Sequence, residues 1–483
     1  MANYNSAGIY TERLPGGSVP VAGVPTATLV VYAYFPDGLE KDTTVITSWP
    51  EFERKFGGVN ANSDAGFAIR GFFDNGGQRV IPFRVCAANA AKASVMADTT
   101  AGWRIDALYK GAKYTNFSVV LAANADTTTN FDITVKDTNS TILEVWANVS
   151  FASTDTGLPT YVTSKVNPYS AYINFVKLGG TTPTAGTKTL AGGTDGTALA
   201  TADIVTACGA GNLDRVIDEN IILIAPDNPE AAVVNAMIAY ATTRKDCFVI
   251  ACPAATDITI ALAQTWWGNI TRSQKSAAYW PYITIYDELR KTKRNINPVG
   301  HLAGIYARTD ANKNVGKNPA GTVDGALQGI VDLAYVTNLG ERDTLYGSKI
   351  NPLIKSSGTG MCVWGARTGT TDPEWIYINH ERLFQFVEKA LYKATPWIAF
   401  ENNTDTLRLR VYSQVNGFLS GLHNDGYFAG KTPSESFFVI CDRSNNPDDS
   451  VARGELIVDV GIAPAKPAEF IRLRFRQKTL TGK

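Results

Sequence analysis

The stretch "NINPVGHLAGIYARTDANKNVGKNPAGT", residues 295–322, gathers residue types that chemistry asks for. His301, one of three histidines in the chain, lies between Gly300 and Gly304, and Arg308, Asp310, Lys313 and Lys317 follow. A histidine near a carboxylate can move protons, and lysines among glycines can cradle a phosphate. The spacing supports neither. There is no GxxxxGK[ST], and "GHLAG" is not a GxGxxG turn after a strand. His301, His380 and His423 make no metal spacing such as HExxH, and no GxSxG nucleophile elbow occurs. Arg308 and Asp310 read as an internal ion pair or an interface contact. No catalytic residue, metal or cofactor is expected.

The whole chain sets matching bounds. At 483 residues it exceeds one ordinary core, so two or three domains are expected. Hydrophobic residues make up 45% and charged residues 19%, a folded composition. Basic and acidic residues balance at 45 each, which argues against direct binding to nucleic acid. The N-terminal "MANYNSAGIYTERLPGG" lacks a basic flank and an apolar run, so no signal peptide is expected. No window reaches the roughly 18 apolar residues of a membrane helix, so no membrane insertion is expected and folding is placed in a cytoplasm. Of six cysteines, Cys247 and Cys252 are closest; their odd offset on a strand points them to opposite faces, as reduced buried thiols.

The elements that must carry the 295–322 stretch alternate in type. Residues 1–20 read as an extended arm, closed by Gly and Pro. "TATLVVYAYF" is a strand; "ITSWPEFERKFGG" is a short helix with Ser48 as N-cap, Glu51 three residues on and Gly57 as stop. Between 98 and 197, short alternating runs such as "NFSVVLAA" and "NFDITVKD" separated by polar turns predict an inserted, mostly antiparallel β domain. Beyond 200, "NIILIAP", the helix "NPEAAVVNAMIAYATTR" with proline in its first turn, "DCFVIACP" and "ITIALAQTWWGNI" predict parallel strands covered by helices. "LRKTKRN" at 289–295 reads as a solvated or partner-facing loop, and Trp266-Trp267 as core or interface packing. Two late helices carry apolar faces: Leu383, Phe386, Val387, Ala390 and Leu391, then Leu407, Val411, Val415, Phe418 and Leu422. The fold class is thus α/β (mixed α+β), an inner domain of 21–97 and 198–462 formed from both ends of the chain. To it belong the insertion 98–197 and extended N- and C-terminal arms, 1–20 and 463–483. The last arm alternates Ile471, Leu473 and Phe475 with Arg472, Arg474 and Arg476, a strand that should join a sheet.

In order and spacing, "GIYTERLPGG", "ITSWPEFERKFGG", "LAGGTDG", "YWPYITIYDE", "NPVGHLAGIYARTDANKNVGKNPAG" and "PWIAFENNTDTLR" resemble the contractile tail sheath proteins of bacteriophages and related phage-tail-like particles. The resemblance runs nearly end to end, with Asn402 standing where that family usually has proline. It implies a structural subunit of a virion tail, assembled in the host bacterial cytoplasm as stacked hexameric rings around a tail tube. Its partners would be further copies of itself in a helical homo-oligomer, the tube protein, and baseplate and tail terminator proteins. Contraction of such a lattice would drive the tube through the host envelope. A tailocin or an extracellular contractile injection particle uses the same kind of subunit. Type VI sheaths divide it between two chains, whereas this chain carries both arms. The resemblance further implies that Ile9, Tyr10 and Leu14 anchor an N-terminal inter-subunit arm, and that Ile471, Arg472, Leu473, Arg474, Phe475 and Arg476 form a C-terminal one. The arms would join copies by strand exchange. It makes 300–317 a shaped surface of the inner domain, with His301, Arg308, Asp310, Lys313 and Lys317 as tube or ring contacts. The competing class, an α/β enzyme with a β accessory domain, predicts a pocket of convergent titratable groups.

Overall fold

Strand β1 (Thr28–Ala33) reads TLVVYA, and all six residues are buried. A strand covered on both faces shows such a run instead of alternation. The computed structural model describes residues 21 and 23–469, apart from 62, 99–101, 128, 180–181, 197–198, 210, 217–218, 357 and 359, together with Arg472 and Arg474. After β1 come α1 (Trp49–Phe56), α2 (Ala65–Asp74) and β2 (Val80–Arg84). Gly57 ends α1 in the left-handed region at φ 87°, with its N–H donating to Glu53 O. Ser48 does not cap the helix with its side chain. Glu51 accepts instead from the Thr47 N–H at 3.1 Å and from Lys55 at 2.9 Å, so the expected capping box is replaced.

The next stretch holds β3 (Lys92–Met96), β4 (Trp103–Lys110), β5 (Ser118–Ala123), β6 (Phe131–Lys136), β7 (Ile142–Val149), the short helix α3 (Val162–Lys165), β8 (Ile173–Lys177) and β9 (Gly186–Thr189). These strands form two antiparallel sheets, β3-β4-β8 and β7-β6-β5-β9, around Trp103, Phe151, Val119, Ile133 and Phe175. Strand β3 lies ahead of position 98 and still pairs with β4, so the β unit takes in residues before that position.

The chain then alternates through α4 (Thr201–Cys208), β10 (Ile221–Ile224), α5 (Ala231–Arg244), β11 (Cys247–Ala251), α6 (Ile260–Gly268) and β12 (Ser276–Trp280). A hairpin, β13 (Ile283–Asp287) and β14 (Thr292–Ile296), leads into α7 (Val299–Asn312). After it come β15 (Asp332–Leu333), α8 (Leu339–Gly347), β16 (Ile350–Ser356) and β17 (Gly360–Val363). The central sheet runs β17-β16-β12-β11-β10-β1-β2; neighbours are parallel except at β16/β17. Leu29, Ile222 and Phe248 on its strands, and Cys252 just past β11, enter one apolar cluster with α2 and α7 residues. Val30, Leu223, Val249 and Cys247 enter another with α4, α5 and α6 residues. Cys247 and Cys252 thus face opposite sides, and all six cysteines are free and buried. Pro229 precedes the Glu230 N-cap of α5 and so lies outside that helix, its carbonyl taking the Trp266 indole N–H at 2.8 Å.

The last part comprises α9 (Ile378–Ala394), α10 (Asp405–Asn424), α11 (Pro433–Ser436), β18 (Phe437–Ile440), α12 (Asp448–Ala452) and β19 (Asp459–Ile462). The apolar stripes of α9 and α10 pack together with Phe428 and Phe437 in a cluster of their own, which Val24 and Val315 join. The segment expected as one inner core, 198–462, therefore contains two apolar centres besides the second face of the sheet. The described fold is mixed α/β with several sheets.

Candidate functional site

The histidine-bearing stretch is a buried helix. α7 lies against α2, and the glycines let the backbones meet. A Cβ on Gly300 would fall 2.1 Å from Ala68 O, and one on Gly304 2.5 Å from Phe72 O. From the other side, a Cβ on Gly71 would fall 2.1 Å from the His301 ring. His301 is 2% exposed, and burial lowers its pKa to about 4, so the ring is neutral at pH 7. It has no role at a surface. The surface reading of 300–317 is corrected for His301, which the close packing of α2 and α7 buries, and for Asp310, which an internal ion pair takes up.

Asp310 accepts from Thr26 Oγ at 2.7 Å and takes both guanidinium nitrogens of Arg382 at 2.8 and 2.5 Å. Arg382 also donates to Thr26 O at 3.0 Å and lies 4.9 Å over the Tyr306 ring. The fork geometry suits a bidentate pair, and both side chains are at most 5% exposed. Arg308 turns inward, donating to Asp324 O at 3.1 Å and Ala326 O at 2.5 Å. Lys313 and Lys317 remain at the surface; Lys317 stands 3.8 Å from Asp324. In the 289–295 run, Arg294 also points inward, to Asp64 at 2.6 Å and over Phe67 at 5.2 Å.

A sheet of only two strands lies in the last unit. Strands β18 and β19 pair only with each other among the described residues, in antiparallel register from Phe437↔Ile462 to Ile440↔Asp459. A two-stranded ribbon is marginal alone, and each outer edge carries unpaired backbone groups. Phe438 is 55% exposed beside it, lying over Gly461, where a Cβ would meet its ring at 2.1 Å. From β19 the chain leaves as a strap, residues 463–469. The Ala463 N–H donates to Ser436 O at 2.8 Å, and Asn379 donates to Ala465 O at 2.8 Å. Glu469 then meets Arg367 at 2.9 Å and the hydroxyls of Tyr346 and Tyr377. A groove of about 480 Å³ lined by Leu339, Arg342, Trp364, Pro467 and Ala468 runs beside the strap.

Of the predicted arm residues, Arg472 and Arg474 are exposed. Ile9, Tyr10, Leu14, Ile471, Leu473, Phe475 and Arg476 lie outside the described residues. Among the described residues no group of three or more His, Cys, Asp or Glu side chains is placed to hold a metal ion, and no helix is long and apolar enough to cross a membrane. Sequence reasoning missed the Asp310–Arg382 and Arg367–Glu469 pairs, whose members are far apart in the chain, and the pairing of β18 with β19.

The comparisons with known proteins converge. Residues 213–369 match the phage tail sheath protein central domain, and residues 370–478 the phage tail sheath C-terminal domain. The chain is 31% identical over 191 residues to the tail sheath protein of Vibrio phage KVP40, covering 39% of this chain and 28% of that one. It is 29% identical over 198 residues to the tail sheath protein of Enterobacteria phage T4, covering 41% and 29%. The matched segment thus spans less than a third of these relatives. In fold, it superimposes with a TM-score of 0.62 and 20% identity on the sheath of an extracellular contractile injection system, the PVC sheath complex in its contracted state, covering 99% of both chains. With the two domain matches together spanning more than half of its length, the chain belongs to the phage tail sheath protein family.

Proposed function

We propose that this chain is the structural subunit of a contractile sheath, of a phage tail or of a kindred tailocin or injection particle, and that it catalyses no reaction. The observation that carries the proposal is the open ribbon β18–β19, placed where the chain's last segment departs. A strand from another copy adds to such an edge through main-chain hydrogen bonds, while alternate side chains set its register. The alternation of Ile471, Leu473 and Phe475 with arginines fits that use, and Ile9, Tyr10 and Leu14 would anchor the opposite arm. Head-to-tail contacts of this kind do not close on a pair; they yield rings and helices. In this reading six-membered rings stack around a tail tube, between a baseplate and a terminator, with the 98–197 unit outward. Lys313 and Lys317 are the exposed basic residues left for the tube or next ring.

Contraction needs no nucleotide in this scheme. It is a passage from a metastable lattice to a more favourable one. A difference of about 1 kcal/mol per subunit, near one net hydrogen bond, sums to large work over a long lattice. Negative-stain electron microscopy of the purified chain tests the proposal. Long striated tubes are expected from the full chain and only dispersed particles after deletion of 1–20 or of 470–483. Tubes of normal length from both truncations would remove strand exchange from the account.

A further inference from the structure

The strap 463–469, "APAKPAE", has little backbone bonding of its own. Pro464 and Pro467 lack an N–H, and among the described residues its backbone–backbone bonds are at Ala463, with Asn379 donating to Ala465 O. What holds its far end is a cage of side chains. Glu469 is 9% exposed and sits in a fork from Arg367, whose Nη2 lies 2.9 Å and Nε 3.4 Å from the carboxylate oxygens. The Tyr346 hydroxyl donates to one oxygen and Tyr377 to the other at 3.4 Å. Arg367 is itself fixed. Its guanidinium stacks 3.8 Å from the Tyr346 ring centre. Its backbone N–H donates to Asn351 Oδ1 at 2.8 Å, and Asn351 Nδ2 returns a bond to Arg367 O at 2.8 Å. Asn351 lies on β16, in the central sheet. Burial pulls the Glu469 carboxyl upward, yet the bonds from Arg367 and Tyr346 outweigh it and hold it below the usual glutamate range.

We propose that Glu469 is the fixed root of the C-terminal arm: its clamp on Arg367 makes everything before it part of its own subunit and passes tension on the residues beyond it into β16 of the central sheet. The inference rests on the reading that 470–483 joins another copy. Without the clamp, a pull on the arm would fall on the single Asn379 bond to Ala465 O and, past it, on Ala463 and the marginal ribbon β18–β19, the element a neighbour's strand would occupy. With it, the ribbon and the arm are mechanically separate. Arg367 and Glu469 are positioning residues in this scheme, since neither need touch the neighbour.

The test uses the full chain with Glu469→Gln, Arg367→Lys and, as a strap control outside the clamp, Lys466→Ala. Hydrogen exchange of the Ala463 amide, the strap's hydrogen-bonded N–H, should accelerate at least tenfold in the unassembled chain of Glu469→Gln. Arg367→Lys, which keeps the charge and loses the fork, should fall between it and the parent. Lys466→Ala should match the parent, and the melting of the central sheet should be unchanged in all three. Tubes of Glu469→Gln should be several-fold shorter, or break under shear that parent tubes survive. Unchanged exchange in Glu469→Gln overturns the clamp. So does faster exchange with tubes of parental length and strength, which leaves strand exchange standing. If deletion of 470–483 itself leaves assembly intact, the underlying reading fails and this inference falls with it.

Discussion

Gly300→Ala is expected to destabilise the chain, although alanine is the better helix former. The new Cβ would lie 2.1 Å from Ala68 O and 2.5 Å from the Ala68 carbonyl carbon. Both atoms are backbone of a packed helix, so no rotamer change relieves the clash. Normal contact at about 3.5–4.0 Å requires α2 and α7 to part by about 1 Å or more. That loosens Phe72, Leu302 and Ala303, all fully buried. Overpacking costs about 1–3 kcal/mol, and a backbone obstacle puts this site at about 3. Helix propensity returns about 1 kcal/mol, for a net loss of about 2. On α10, by contrast, a Cβ at Gly417 meets nothing within 4 Å. Gly417→Ala should therefore gain about 1 kcal/mol. At about 2–4 °C per kcal/mol, the first variant melts about 4–8 °C lower and the second about 2–4 °C higher. Calorimetry reads the sign. Because a chain with several apolar centres does not melt as one unit, hydrogen exchange should localise the loss to α2 and α7. A Gly300→Ala chain that melts at or above the parent would show that these glycines do not set the helix contact.

The remaining expectations concern buried charge. His301 has its pKa lowered to about 4 by burial, against about 6.5 unfolded. The unfolded chain then binds the proton first, so its contribution is complete above about pH 6.5 and is lost as pH falls toward 4, on the order of 3 kcal/mol in all. Melting of His301→Leu, followed from pH 7 to pH 4, should lack that slope relative to the parent; parallel curves would mean the ring titrates normally. Asp310→Asn leaves Arg382 buried and uncompensated and should cost about 3 kcal/mol. The double variant Asp310→Leu with Arg382→Met should recover most of that in urea melts. A double variant no more stable than the single one would place the cost elsewhere.

Much of the fold is written locally. "NIILIAP" and "CFVIA" are continuous apolar runs because both faces of their sheet are covered, and the stripes of α9 and α10 follow helical period into one cluster. What was misread depends on partners distant in the chain. Glycine at 300 and 304 weakens a helix in isolation, and it makes sense only beside Ala68, Gly71 and Phe72 of α2. Ser48 had every local qualification as a cap, yet Glu51 was already satisfied by Thr47 and Lys55. The β18–β19 ribbon shows the same limit, because periodicity finds strands but does not say which edges stay open. The contacts of residues 463–469 were not legible, because Arg367, Tyr346 and Asn379 come to them from distant parts of the chain.

Those places converge on one helix. Arg382 of α9 holds Thr26 O, near the start of the described chain, and Asn379 of the same helix holds Ala465 O, near its end. Residues three apart share a helix face, so both exits are mounted side by side. The helix is in turn keyed to the sheet. Gln385 donates to Cys247 O at 3.0 Å, Lys389 pairs with Asp246, and Glu381 takes Lys275 at 2.6 Å. Glu381, Arg382, Gln385 and Lys389 are all buried, where apolar residues would cost less desolvation. An apolar face slipped by a turn forfeits packing; paired charges slipped by a turn also leave buried ions alone, a larger cost. If both ends join neighbouring copies, as proposed, this buried row would fix the separation of the two exits.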